Sequence, residues 1–190
     1  MILCLTSVTE FNSPSNNFDL DNLISKIAHQ DEQALAKLYE KTSKSVYSFA
    51  LSILKNTHDA QDVMHDCYVK IFNSAPSYVS AKKPMAWIIT ITKNLCLMKI
   101  RDNKKKSRVP QEDWANYVMN KPQIPQDDKI LISYYMKKLS DEERQIVILH
   151  AVSGFSHKQI GEVLEIKHQT VISKYNRALK KLNALMSEEV

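Results

Sequence analysis

The chain has 190 residues, 44% of them hydrophobic and 25% charged, a formal charge of +5 and only two glycines, Gly154 and Gly161. A soluble chain of this length ordinarily carries about 13 glycines. Tight hairpins, phosphate-cradling loops and dinucleotide-binding turns need positive φ or a missing Cβ, so most β architectures and nucleotide folds are excluded and an all-α protein remains.

From the N-terminus, residues 1–18 read as a flexible tail. Their short apolar patch has no preceding Lys or Arg and no long apolar core, so no secretion signal is expected. Leu20, Leu23, Ile24, Ile27 and Ala28 then mark a short amphipathic helix. Asp31 is placed to cap a second, whose inward face includes Leu35, Leu38, Val46, Phe49, Ile53 and Leu54. Asn56-Thr57-His58 breaks the pattern, and Asp59 can cap a third helix with Ala60, Val63, Met64, Cys67, Tyr68 and Ile71 inward. A loop follows over 73–83, with Pro76 in it. Pro84 suits the first turn of a fourth helix running through Trp87, Ile88, Ile91 and Leu95 to about Lys106. This glycine-free half is expected to need no special backbone conformation.

Residues 19–108 carry a net +6, 109–128 a net −3 and 129–186 a net +5. The acidic stretch also holds Pro110, Pro122 and Pro125, which disfavour helix. It reads as a linker between two small helical domains, 19–108 and 129–186. In the second, a helix over 129–139 precedes Ser140 and Glu143, spaced as a capping box for the next helix. Gly154 can end that helix in the left-handed region, and Ser156 can cap a short helix to Leu164. After the turn Glu165-Ile166-Lys167, a last basic helix runs from His168 to about Met186.

That final pair reads as a helix-turn-helix, with Ile160, Leu164, Ile166, Val171 and Leu179 packing inward and Gly161 at the crossing. The second helix would leave His168, Gln169, Thr170, Ser173, Lys174, Arg177 and Lys181 for a DNA major groove. In the fourth helix, Thr90, Asn94, Leu97, Arg101, Lys104 and Lys105 recur at helical spacing opposite the apolar face, a stripe suited to a nucleic-acid backbone. On the third helix, Asp62, His65, Asp66 and Val69 share an outer face that could dock on a partner. No catalytic residue, metal site or cofactor is expected: the histidines form no ligand set, and no nucleophile motif occurs. The three cysteines, Cys4, Cys67 and Cys96, are far apart, which fits a reduced cytoplasmic protein. These patterns leave open a ligand-sensing or dimerising transcription regulator that binds DNA unaided.

Taken together, the chain resembles bacterial RNA polymerase sigma factors of the extracytoplasmic-function group. Asp59-Ala60-Gln61-Asp62-Val63-Met64-His65-Asp66-Cys67-Tyr68-Val69-Lys70 resembles the family's AEDxxQExF-type stretch of region two. Ala86-Trp87-Ile88-Ile89-Thr90-Ile91-Thr92-Lys93-Asn94-Leu95 resembles its aWLxxIaxN stretch, and Leu139 to Leu182 resembles region four. The resemblance implies a promoter-specificity subunit without catalysis of its own. Asp62, His65, Asp66 and Val69 would meet the β′ subunit of core polymerase, which also offers β. Ser80, Lys82, Lys83 and the fourth-helix stripe would capture the −10 promoter element as a single strand. The helix-turn-helix would read the −35 element. An anti-sigma factor is a further implied partner, and no membrane insertion is implied. The chain departs from the pattern at His65, where Gln is usual, at Gly161, where Ala is usual, and at Glu165, where Gly is common.

Overall fold

The computed structural model describes residues 14–80, 82–105 and 134–187. The expected acidic linker, most of the tail and Cys4 lie outside these. All regular structure among the described residues is helical: α1 (Pro14–Ile27), α2 (Glu32–Leu54), α3 (Thr57–Ser74), a 3-10 turn (Ala75–Ser77), α4 (Pro84–Lys105), a helical segment over 134–138, α5 (Asp141–Ala151), α6 (His157–Leu164) and α7 (His168–Ser187).

α2 is the central post. Ser48, Phe49, Ala50, Leu51 and Ser52 are five consecutive buried residues. Five successive positions cover every side of a helix, so α2 is enclosed rather than amphipathic at this level. α1, α3, α4 and α5 all pack against it. Its hydroxyls are satisfied internally. Thr42 Oγ1 donates to the Leu38 carbonyl at 2.7 Å and so accepts from the Tyr68 hydroxyl at 2.8 Å. Ser52 Oγ donates to the Phe49 carbonyl at 2.6 Å. Small polar residues thus fill the crowded faces without leaving a buried group unpaired.

Several helix boundaries match the caps read from sequence. Asp31 accepts from the Ala34 amide at 3.0 Å, and Ser140 with Glu143 closes both halves of a capping box. Ser156 caps α6 and forms a second such box with Gln159. Others differ. α1 begins at Pro14, inside the expected tail, with proline in its first turn. α3 begins at Thr57 rather than after Asp59, because Asn56 Oδ1 takes the Asp59 amide at 2.9 Å. Asp59 is thereby freed to accept from Asn103 Nδ2 at 2.8 Å and to pair with Lys99 at 3.3 Å. Leu179, expected inside, is 37% exposed.

The expectation that the glycine-free half needs no special backbone is wrong. Gln30, Lys55 and Lys82 all have φ near 60°, as does Glu165. Lys55 ends α2 and Glu165 ends α6 in this left-handed geometry. A side chain there costs roughly 1–2 kcal/mol, so low glycine content reflects accepted strain rather than absent turns. Glycine is kept where space decides. A Cβ on Gly161 would stand 2.8 Å from the Ile166 carbonyl oxygen and 3.6 Å from His168 Cα. Gly154, at φ 66°, turns the chain so that the Phe155 amide reaches the Leu149 carbonyl at 3.0 Å.

The two halves meet. One apolar cluster joins Leu38, Val46, Phe49 and Ile88 with Ile146, Leu149, Phe155 and Ile160. Across the same seam Lys55 pairs with Asp141 at 3.0 Å and Ser45 Oγ reaches the Val152 carbonyl at 3.5 Å. Gly161→Ala should lower stability by about 1–3 kcal/mol, because backbone must move to admit the methyl. Gln30→Gly, at an exposed left-handed position, should raise it by about 0.5–1 kcal/mol. Urea denaturation of the two variants checks both signs.

Candidate nucleic-acid interface

Three surfaces carry the residues singled out by sequence. The first is the outer side of α3. Asp62, His65, Asp66 and Val69 recur at i, i+3, i+4 and i+7, so one face presents all four. All are exposed, Val69 at 61%. At that exposure Val69 has no packing role. Asp62 is the least free of the set: Lys99 from α4 donates to it at 2.8 Å. That contact, set against some burial, raises the Lys99 ammonium above its ordinary value.

The second surface is the loop before α4 and its outer face. Ser80, Lys82, Lys83, Thr90, Asn94, Leu97, Arg101, Lys104 and Lys105 are all exposed. The helix brings Thr90, Asn94, Leu97, Arg101 and Lys104 into one stripe. Thr90 spends its hydroxyl on the Ala86 carbonyl at 2.8 Å, and the loop is pinned where the Lys82 amide donates to Ser80 Oγ at 3.4 Å. Below the stripe, Thr92 Oγ1 donates to the Ile88 carbonyl at 2.9 Å and meets Cys67 Sγ at 3.4 Å. Burial pushes the Cys67 thiol up to about 11. Cys96 is likewise buried and raised by burial, so neither thiol is a nucleophile near neutral pH.

Sequence reasoning missed the aromatic floor of this surface. Tyr78 and Trp87 lie 4.6 Å apart between ring centres, tilted by 48°. The Tyr78 hydroxyl donates to Asp21 at 2.5 Å, and burial together with that carboxylate raises its pKa. With Val79, Lys83, Ala86 and Thr90 the two rings line a cavity of about 240 Å³. Trp87, read from its period as a core residue, is only half-buried because it forms this wall. Val79 stands 84% exposed at its edge. Stacking rings beside exposed cations are what single-stranded bases bind.

The remaining wall of the cavity is Glu162 and Val163 of α6. Glu162 pairs with Lys83 at 2.6 Å. Lys93, mostly covered, donates to Glu165 at 2.6 Å and to the Val163 carbonyl at 3.1 Å. The Lys93 ammonium holds the Glu165 carboxyl below the usual range. Acidic residues of the C-terminal half therefore occupy cations of the N-terminal basic face. Sequence marked Glu165 only as a turn residue and gave Glu162 no role.

The third surface is α7. His168, Gln169, Ser173 and Arg177 are exposed and Thr170 is half-buried, while Ser173 turns its hydroxyl to the Gln169 carbonyl at 2.9 Å. Lys174 and Lys181 are engaged inward, Lys174 with Glu142 and Lys181 with Glu143 at 2.7 Å. Glu143 is 2% exposed and also receives the Ser140 amide at 2.9 Å. Burial alone would raise this carboxyl, but Lys181 and Ser140 outweigh it and hold it below its ordinary value. Two adjacent glutamates on α5 thus grip two lysines seven residues apart on α7, fixing how the helix is presented.

Known proteins resemble this chain across both halves. Residues 38–106 match Sigma-70 region 2 and residues 130–182 match Sigma-70 region 4. The chain is an extracytoplasmic-function sigma factor. The ECF RNA polymerase sigma factor SigK of Mycobacterium bovis is 25% identical, over 89% of this chain and 94% of that protein. SigK of Mycobacterium sp. strain KMS is 27% identical, over 86% and 89%. Among solved structures, CnrH in complex with the cytosolic domain of CnrY superposes with a TM-score of 0.67 at 19% identity, covering 90% of this chain and 99% of that one. Sigma factor RpoE of Bartonella quintana, in complex with the anti-sigma factor NepR, gives 0.69 at 22%, covering 80% and 96%. The sigma factor directs promoter-specific transcription initiation with RNA polymerase. No helix among the described residues is long and apolar enough to cross a membrane.

Lys181 and Arg177 separate fold from recognition. Lys181→Ala leaves Glu143 buried without its cation and should destabilise the protein by about 1–2 kcal/mol, less than a fully buried pair because the lysine is partly open. Arg177→Ala, with nothing to release, should change stability by less than about 0.5 kcal/mol. Equilibrium unfolding of the two variants measures the difference.

Proposed function

We propose a division of labour along the chain, with boundaries at residues 19–108, 109–128 and 129–186. The first unit docks on the β′ subunit of core polymerase through the α3 face and captures the −10 element as single strand. The Tyr78–Trp87 cavity would take an unstacked base, with Asn94, Arg101, Lys104 and Lys105 along the backbone. The second unit inserts α7 into the major groove of the −35 element. His168, Gln169, Ser173 and Arg177 are the residues free to reach it. Lys174 and Lys181 act by holding α7 in place. The protein catalyses nothing itself, works in the cytoplasm, and is restrained by an anti-sigma partner.

The observation that carries this reading is the seam. Glu162 and Val163 of the helix-turn-helix wall one side of the Tyr78–Trp87 cavity, and Glu162 and Glu165 occupy Lys83 and Lys93 of the basic face. Promoter elements about 25 base pairs apart lie roughly 85 Å apart at 3.4 Å per pair. A compact chain of this size has a radius of gyration of about 16 Å, so the closed arrangement cannot read both. The units must separate, and the chain between Lys105 and Tyr134 can reach roughly 90 Å when extended. The seam's charged pairs are exposed or partly so, each worth at most about 1 kcal/mol. Polymerase and promoter contacts can offset such pairs together with the apolar packing of α5 on α2.

Transcription with core polymerase on genomic templates tests the reading. Added protein should give promoter-specific transcripts. Replacing both Asp66 and Val69 by Ala should weaken core-polymerase capture about 5–30-fold with unchanged helicity. Absence of any specific transcript would refute the function, and undiminished capture would remove α3 from the docking role.

A further inference from the structure

A cluster of three rings in the C-terminal unit takes no part in the contacts above. His150 lies in the last turn of α5, His157 opens α6, and Tyr175 lies within α7. Each helix of the unit contributes one ring. The imidazoles stack with centres 4.9 Å apart and planes 27° apart. Tyr175 meets each of them at 4.8 Å. His150 Nδ1 lies 2.9 Å from the Phe155 carbonyl oxygen. A carbonyl only accepts, so that nitrogen carries the proton. His157 Nε2 is buried and has no hydrogen-bond partner. A proton on that nitrogen would find no acceptor within the protein.

We propose that this cluster is a proton sensor: with His157 neutral the three rings hold α6 between α5 and α7, and protonation of His157 on mild acidification loosens α6 and disables the helix-turn-helix. The ionisable imidazoles beside His157 favour its neutral form. His150 faces His157 from α5, and His168 and Tyr175 approach from α7. The N-terminus of α6, the positive end of its dipole, is where His157 itself stands. On the same helix Lys158 is exposed, and Glu162 is taken by Lys83 of α4, as Glu165 is by Lys93. Burial first, then His150 and His168, hold His157 below the ordinary histidine value of 6.5. Its folded form therefore binds fewer protons than its unfolded form just below that pH. The stability it contributes is complete above about 6.5 and declines as pH falls from there through the lower folded value. Acidification would thus weaken the −35-reading unit while α2 and α3 stay intact.

Hydrogen exchange of the full chain at pH 7.5 and 5.5, expressed as protection corrected for intrinsic rate, tests this. Amides of 150–175 should lose protection by a factor of up to about ten, the ceiling that linkage sets one pH unit below 6.5, while those of α2 and α3 hold theirs. His157→Phe keeps a ring in the stack but has no titratable nitrogen, and should flatten the response. Should that variant fail to fold, an NMR titration of His157 in the unmodified protein decides, with a midpoint below 6.5 expected. Protection over 150–175 that ignores pH, an equal loss in folded His157→Phe, or a midpoint at or above 6.5 would each overturn the proposal.

Discussion

Among the described helices, four are arranged to enclose α2. A helix with Ser48 to Ser52 buried in succession cannot rest on one neighbour. α1, α3 and α4 cover it from the N-terminal half, and α5 supplies a further wall. The choice of serine and threonine along α2 follows from the crowding. These side chains are small, and they return their hydroxyls to carbonyls one turn back or, as Ser45 does, to a neighbouring segment. With α2 fixed, α3 and α4 leave Val69, Arg101, Lys104 and Lys105 open to solvent without a packing role.

The same enclosure makes the C-terminal unit part of the N-terminal unit's surface. α5 packs on α2, and α6 in consequence lies over the start of α4, where its glutamates meet lysines. Under the proposed mechanism these glutamates stand in for phosphate at Lys83 and Lys93, and because such ion pairs are weak, promoter DNA can displace them. The Glu142–Lys174 and Glu143–Lys181 pairs act differently: they lie within the C-terminal unit and keep α7 presented in either state.

Much of the fold was legible in the sequence because helix periods and caps are local. Asp31, Ser140 with Glu143, and Ser156 lie within one turn of the groups they satisfy, so spacing alone locates them. Asn56 and Asp59 show the limit: both are good caps, and the competition is settled by Asn103 and Lys99, some forty residues away. The left-handed residues escaped notice because glycine is the usual signal, and Gln30, Lys55 and Lys82 give none. Helical period identified which candidate residues of α3 and α4 face outward. It could not separate Arg177, which is open, from Lys181, which is held by a buried carboxylate. It also could not foresee that Trp87 would share a cavity wall with Tyr78 and Glu162. Those pairings join residues far apart in sequence and depend on how helices are stacked.

The central claim is that a closed chain opens to read its promoter. It is tested most directly by a distance between the two units, from spin labels at Lys44 on α2 and Lys180 on α7, both exposed and outside the proposed contacts. Cys4 is replaced by serine, and the buried Cys67 and Cys96 stay unlabelled. The free protein should give one short, narrow distance. In an active complex with core polymerase and promoter DNA it should lengthen by several tens of ångströms. An unchanged distance in a complex that still makes the specific transcript would contradict the account.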